Sequence, residues 1–371
     1  MKSFEYGDQE VGHKVLAYAV LSIILGIGIL TLPRMIAGVT KGSDGWIGIL
    51  LGGLISLAFL LASMRLASRF PRKSYYDMAS SIIGKPAAAI IIFFLALYNL
   101  SFCAYETRAV SVIARTYLFE KTPLEMIVLV FLLVLVYGVS GPSTDLLRLN
   151  MMFTPIVFTI AVLVILMNYR FFELNNLKPL FTSSVRGYVT ATKFTIYSYL
   201  GYSLVILFYN PLVRQHQPKQ ALKMYAWSII LIMILYQAFF LASLAVFTHD
   251  GTAQIIHPAI ELAKQIEVPG QFFERLESVF FTIWVMTVFN TAAMAFDMGI
   301  LALRSLFKKA KRMRLVLILS PIIYIASMAP PNQISYFKAE EIIAYAGMVL
   351  CMGTPLALLM IARVRGIKED A

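Results

Sequence analysis

The stretch Leu25-Gly26-Ile27-Gly28-Ile29-Leu30-Thr31-Leu32-Pro33-Arg34 decides how the rest of the chain is read. It lies in an apolar run over about 12–36, long enough for the roughly 20 helical residues that cross a hydrocarbon core of about 30 Å. Each interior glycine costs about 1 kcal/mol against alanine. Pro33 removes a backbone donor and sets its ring against the carbonyl of Ile29. Helix continuity is therefore weakest over 26–30. In lipid, irregular backbone is tolerated only where it faces protein or a water-filled cavity, so an unwound turn here implies a site. The freed N–H groups suit a ligand carboxylate, helped by the positive end of the outer half-helix. Gly26 and Gly28 equally suit close packing of one helix on another.

The rest of the chain sets that run in a membrane. Apolar types make up 59% of the 371 residues and charged types 14%, against about a quarter charged in a water-soluble domain; mean hydropathy is +0.77. Ten stretches are long and apolar enough to span: about 12–36, 45–64, 86–117, 123–141, 146–167, 191–213, 221–247, 276–304, 313–329 and 338–363. Polar, basic or Pro/Gly-bearing separators divide them. No soluble domain fits between them, so 1–371 reads as one integral-membrane domain. The polar start, Met1 to Glu10, and the long apolar run after it do not form a cleavable signal peptide.

A net charge of +12 on a soluble protein would suggest nucleic acid. Here the basic residues sit between spans, and no nucleic-acid motif accompanies them. With the N-terminus cytoplasmic, twenty Lys/Arg fall on cytoplasmic segments and eleven on the opposite side, which predicts both termini inside. The cluster Arg304, Lys308, Lys309, Lys311, Arg312 and Arg314 reads as part of that bias, or as an anionic-lipid contact.

A second span carries the same kind of weakness. The sixth has Tyr199-Leu200-Gly201-Tyr202 near its middle and Asn210-Pro211 at its end. Breaks at comparable depth, five spans apart, are the signature of two five-helix halves in inverted repeat with a ligand between them at mid-membrane. The halves fall at about 12–167 and 191–363. Two other spans are candidates to wall that site. In the third, Tyr98, Phe102, Tyr105 and Val112 recur at helical spacing, with Glu106 and Arg108 further out. In the eighth, Phe280, Thr287, Asn290, Thr291, Met294 and Asp297 form a partly polar stripe. Glu106 and Arg108 are two residues apart and on different helix faces, so each needs another partner. Arg34 for Glu106 and Asp297 for Arg108 are the pairings that suggest themselves, making an intramembrane charge network of Arg34, Glu106, Arg108 and Asp297.

Enzyme chemistry finds no foothold. His13, His216, His249 and His257 lack metal-ligand spacing, no phosphate-binding loop is present, and the serines lack a nucleophile-elbow context. The sequence therefore predicts no catalytic residues, no metal and no cofactor. Cys103 and Cys351 lie inside apolar runs and read as small core residues.

The run Gly26 to Arg34, followed by Gly42-Ser-Asp44-Gly45-Trp46-Ile47, resembles the B subunit of GerA-type spore germinant receptors, the spore-germination branch of the amino acid/polyamine/organocation (APC) transporters. Ser74-Tyr75-Tyr76-Asp77 to Ile83-Gly84-Lys85 is similar to the family's first cytoplasmic loop, and length and layout match along essentially the whole chain. The resemblance implies an all-α, LeuT-like fold of ten transmembrane helices with helices 1 and 6 broken. It implies a non-enzymatic receptor subunit in the spore inner membrane, assembled with A-type and C-type subunits, that detects a small germinant such as an amino acid and triggers germination. Carried over by residue, ligand-backbone contacts fall on Gly26, Gly28, Tyr199, Leu200 and Gly201, and side-chain selectivity on Tyr98, Phe102, Thr287 and Thr291. Several superfamily members hold a lysine in the fifth span in place of a coupling sodium ion; Leu146 to Met167 has only Arg148. The rival reading is a proton-coupled amino-acid or organic-cation transporter with Glu106 or Asp297 as proton carrier.

Overall fold

The structure, a computed structural model, describes residues 10–214, 217–266 and 276–367. Of the sequence landmarks, Lys2, His216, Arg275 and Lys368 lie outside them.

The described chain is helical. The first apolar run is two helices, α1 (His13–Leu25) and α2 (Gly28–Ala37), bent by 47° across Gly26 and Ile27. Then come α3 (Gly45–Arg69), the short α4 (Tyr75–Ile83), α5 (Lys85–Tyr117), α6 (Leu124–Ser140) and α7 (Ser143–Met167). The sixth run is also split, into α8 (Val185–Ser198) and α9 (Tyr202–Phe208). It is followed by α10 (Pro218–Gln254), the short α11 (Pro258–Lys264), α12 (Leu276–Leu306) and α13 (Arg312–Met328). The last run comprises α14 (Gln333–Gly347), a π-helical stretch over Met348–Gly353, and α15 (Thr354–Val364).

Six of these runs are single helices long and apolar enough to cross a membrane, and the bent α1–α2 pair is a seventh. The shorter apolar α6 and α13 and the split α8–α9 complete the ten expected spans. Several boundaries differ from expectation: the second span runs on to Arg69 and the sixth begins at Val185 rather than 191. The seventh helix continues past 247 to Gln254, with a sharp turn at Thr248, whose φ of 64° is left-handed. The tenth begins at Gln333 rather than 338, because Asn332 caps it by accepting the N–H of Ser335 at 2.9 Å.

The two ends of the described chain meet one face. Arg69, the last residue of α3, donates to the carbonyl of Ile367, and Arg72, in the turn after it, pairs with Glu10. On the other face Asp44 anchors the long connection before α8. It accepts the N–H groups of Phe181, Thr182 and Ser183 and the hydroxyl of Tyr188. Burial pushes its carboxyl up, but these donors outweigh it and hold the group below the usual carboxylate range. The Asp-x-Trp motif is therefore structural, tying the second span to the sixth.

Small residues let the central helices close on one another. A Cβ on Gly48 would lie 2.5 Å from Ala191 Cβ, and one on Gly52 2.6 Å from Thr195, so α3 and α8 touch nearly backbone to backbone. Leucine at Gly52 is expected to force them apart at a cost of about 1–3 kcal/mol, read as a lower melting temperature of the detergent-solubilised protein. An unchanged melting temperature would show that the contact yields freely.

Candidate functional site

Breaking α1 at Leu25 leaves backbone groups that lipid cannot satisfy, and side chains from three other helices take them up. Thr291 on α12 donates to the carbonyl of Ser22 at 3.3 Å. Tyr236 on α10 donates to that of Ile24 at 2.7 Å, and Trp284 on α12 to that of Gly26 at 3.4 Å. The N–H of Ile27 lies against the carboxyl group of Glu106 on α5. The glycines make room for this. A Cβ on Gly28 would stand 2.8 Å from the Tyr236 hydroxyl, and one on Gly26 3.2 Å from Glu106 Oε1.

The second break rests against the first. Gly201 has φ of 105°, a left-handed conformation that glycine alone adopts at little cost, and a Cβ there would lie 2.9 Å from Cγ1 of Ile23. Tyr202 is buried and donates to the carbonyl of Ser56 at 2.8 Å. The last span comes equally close, since a Cβ on Gly347 would meet Leu200 at 2.6 Å and the Tyr98 hydroxyl at 2.7 Å.

Above the two breaks, on the face opposite the chain ends, lies a cavity of about 1040 Å³. Of the residues expected at the site, Gly26, Gly28, Tyr98, Phe102 and Leu200 line it, together with Arg34, Glu106 and Arg108. Tyr199, Gly201, Thr287 and Thr291 stand behind that wall. The Thr287 hydroxyl bonds back to the carbonyl of Ile283, and that of Thr291 to those of Thr287 and Ser22, so both serve the backbone.

One side of the cavity is an aromatic ladder. Tyr98 stacks on Phe102 with ring centroids 6.2 Å apart, Phe102 on Tyr105 at 6.2 Å, and Tyr105 on Tyr336 of α14 at 5.1 Å. Three of these rings follow from helical spacing on α5. Tyr336 and Glu340, a turn apart on α14 and both on the cavity, were not among the expected site residues, and the tenth span was expected to start beyond Tyr336. Their spacing of four was the available signal. His257, in the turn before α11, also faces the cavity; burial and then Arg34 push its imidazole down to about 4, so it is neutral at pH 7.

The expected charge network is corrected. Arg108 donates to the carbonyl of Pro330 at 3.3 Å and does not meet Asp297. No ion pair joins Arg34 to Glu106 among the described residues. Asp297 is fully buried below the breaks and pairs with Arg312 of α13, while accepting the Tyr209 hydroxyl at 2.9 Å. Arg312 also donates to the carbonyl of Val139 at 2.9 Å and to Ser143 at 3.2 Å. One ion pair thus ties α12, α13, α6, α7 and the end of α9 together, closing the molecule on the side away from the cavity.

Residues 11–335 match the family described as Spore germination protein. The chain is 38% identical to spore germination protein GerLB of Bacillus cereus over 98% of its own length and 97% of that protein. It is 28% identical to spore germination protein YndE of Bacillus subtilis (strain 168), over 93% of this chain and 94% of that protein. Among solved structures it resembles MhsT in complex with L-phenylalanine, with a TM-score of 0.71 at 14% identity over 98% of this chain and 97% of the other. It also resembles the nucleobase-cation-symport-1 transporter Mhp1, with a TM-score of 0.66 at 13% identity over 99% and 96%. At such identity the likeness carries the fold alone. The fold is the LeuT-like one expected from the sequence, all-helical with the first and sixth runs broken.

Removing one partner of a buried ion pair strands the other, at a cost of about 3–5 kcal/mol. Asp297→Ala is expected to lower the thermal stability of the purified protein strongly, and a further Arg312→Met change to recover part of the loss. A double variant no more stable than the single one would mean that Arg312 is not stranded.

Proposed function

This chain belongs to the spore germination protein family, and from that premise we propose that it is the nutrient-sensing B subunit of a spore germinant receptor. It is a membrane protein without enzymatic chemistry. Its place is the inner membrane of the spore with both termini on the core side, which the excess of Lys/Arg on that set of loops supports. A small germinant, such as an amino acid, binds between the two broken helices, Gly26 and Gly28 on one side and Leu200, backed by Tyr199 and Gly201, on the other, with Tyr98 and Phe102 as its wall. The two five-span halves, about 12–167 and 191–363, supply one break each. The observation that carries this reading is the cavity of about 1040 Å³ that reaches the α1–α2 break through a face of mixed aromatic, carboxylate and guanidinium groups. That volume is at the upper end for small-molecule sites and accommodates a nutrient with room for the cavity to close around it.

Binding acts by differential affinity. A ligand held between α2, α5 and α8 favours the conformation in which those outer half-helices approach, and the shift passes to A-type and C-type partner subunits. Thr287 and Thr291 stand one step behind the wall, and Thr291 tunes the site by fixing the backbone of α1 at Ser22.

Spores lacking this gene, tested against single nutrients, are expected to lose the response to one nutrient class and keep the rest. Spores carrying Gly26→Val are expected to show the same loss while the protein still accumulates, because valine displaces Glu106 and Thr291. Normal release of dipicolinic acid by the valine spores would remove the first break from the site. Saturable, gradient-driven uptake of that nutrient by the isolated chain in proteoliposomes would instead favour a transporter.

A further inference from the structure

The α1–α2 break presents a different chemistry from the one its sequence suggests. A backbone break attracts a zwitterion through free N–H groups for the carboxylate and free carbonyls for the amine. Here the carbonyls of Ser22, Ile24 and Gly26 already receive hydroxyl or indole donors, and the N–H of Ile27 lies against Glu106. Beside them, on the cavity wall, stands the carboxyl group of Glu106. Its side chain is 2% exposed, it lines the cavity, and its Oε2 has no hydrogen-bond partner among the described residues. Of the cavity's cations, Arg108 turns to Pro330 and Met328, and no ion pair joins Arg34 or Arg115 to Glu106 among the described residues.

We propose that Glu106 is the recognition group for a ligand ammonium, and that the receptor selects amine-bearing nutrients through that carboxylate rather than through the backbone of the break. The inference rests on the sensing role proposed above. A carboxylate buried without a counter-charge is costly, and an incoming ammonium removes that cost in the bound state only. Ligand binding is then also what completes the polar network of the break. The unpartnered Oε2 is buried at the cavity wall beside the break, with Oε1 3.2 Å from where a Cβ on Gly26 would lie. The stacked face of Tyr98 and Phe102 adds a second attraction for a cation lying against it. Uncharged nutrients of the same shape, and acids whose amine is replaced by hydroxyl, leave the carboxylate unpaired and gain nothing from it.

The test uses spores in which this receptor is the one intact nutrient receptor, with dipicolinic acid release as the readout. The twenty common amino acids identify the most effective trigger. Its 2-hydroxy-acid analogue, which lacks the amine, and its amino-alcohol analogue, which lacks the carboxylate, are then used as triggers and as competitors. The amino alcohol is expected to compete with the amino acid and the hydroxy acid to fail. Glu106→Gln is expected to raise the half-maximal concentration of the amino acid roughly 10- to 100-fold, the scale of one hydrogen bond to a charged group. Glu106→Asp should fall between. A hydroxy acid that competes as well as the amino acid overturns the inference on the unaltered protein, whether or not the variants accumulate. So does an unchanged half-maximal concentration in accumulated Glu106→Gln. Spores that respond to none of the twenty would count instead against the sensing role itself.

Discussion

Inside hydrocarbon a backbone N–H or C=O left without a partner costs several kcal/mol, and the first span of this protein leaves several. Gly26 and Ile27 interrupt the helix, and what happens to the groups they free governs the arrangement around them. Trp284 and Thr291 reach in from α12, Tyr236 from α10 and Glu106 from α5, each ending on one freed group. The break is therefore a junction to which three other helices are fastened. The aromatic and hydroxyl residues of the eighth span, which look like an ordinary polar stripe, take their positions from it.

The second break is dependent on the first through shape rather than hydrogen bonds. Gly201 turns in a left-handed conformation directly beside Ile23, so α9 continues below the point where α1 ends. Below both, the Asp297–Arg312 pair draws α12 and α13 onto the ends of α6 and α9. Above both, nothing comparable among the described residues closes the cavity. In a molecule tied on one side and open on the other, a ligand entering from the open side can spend its binding energy on drawing α2, α5 and α8 together. The population shifts only as far as that difference in affinity allows.

Much of this was legible in the sequence, for definite reasons. Glycine and proline spacing marks a break wherever the surrounding residues are apolar enough to fix the span, and both Gly26-Ile27-Gly28 and Gly201 are set in such runs. Tyr98, Phe102 and Tyr105 share one helix face by spacing alone. Partners across helices were not legible. Arg312 reads as one more basic residue in a loop cluster, yet it starts α13 and turns inward to Asp297. Tyr336 lies before the expected tenth span and Glu340 just inside it, yet helix α14 begins earlier, at an Asn332 cap, and carries both over the cavity. That Glu106 lies against the first break was not legible either, because which side chain approaches a freed group depends on packing that no single segment encodes.

The central claim is that a nutrient occupies the cavity at the α1–α2 break. Cys103 and Cys351 are both buried, so a single cysteine introduced at Val112, on the cavity wall, can be followed by a water-soluble maleimide in reconstituted receptor. The nutrient that these spores respond to is expected to slow that labelling, and to lose the effect when Gly26 is replaced by valine. Labelling at the same rate with and without the nutrient, in protein that still binds it, would place the site elsewhere.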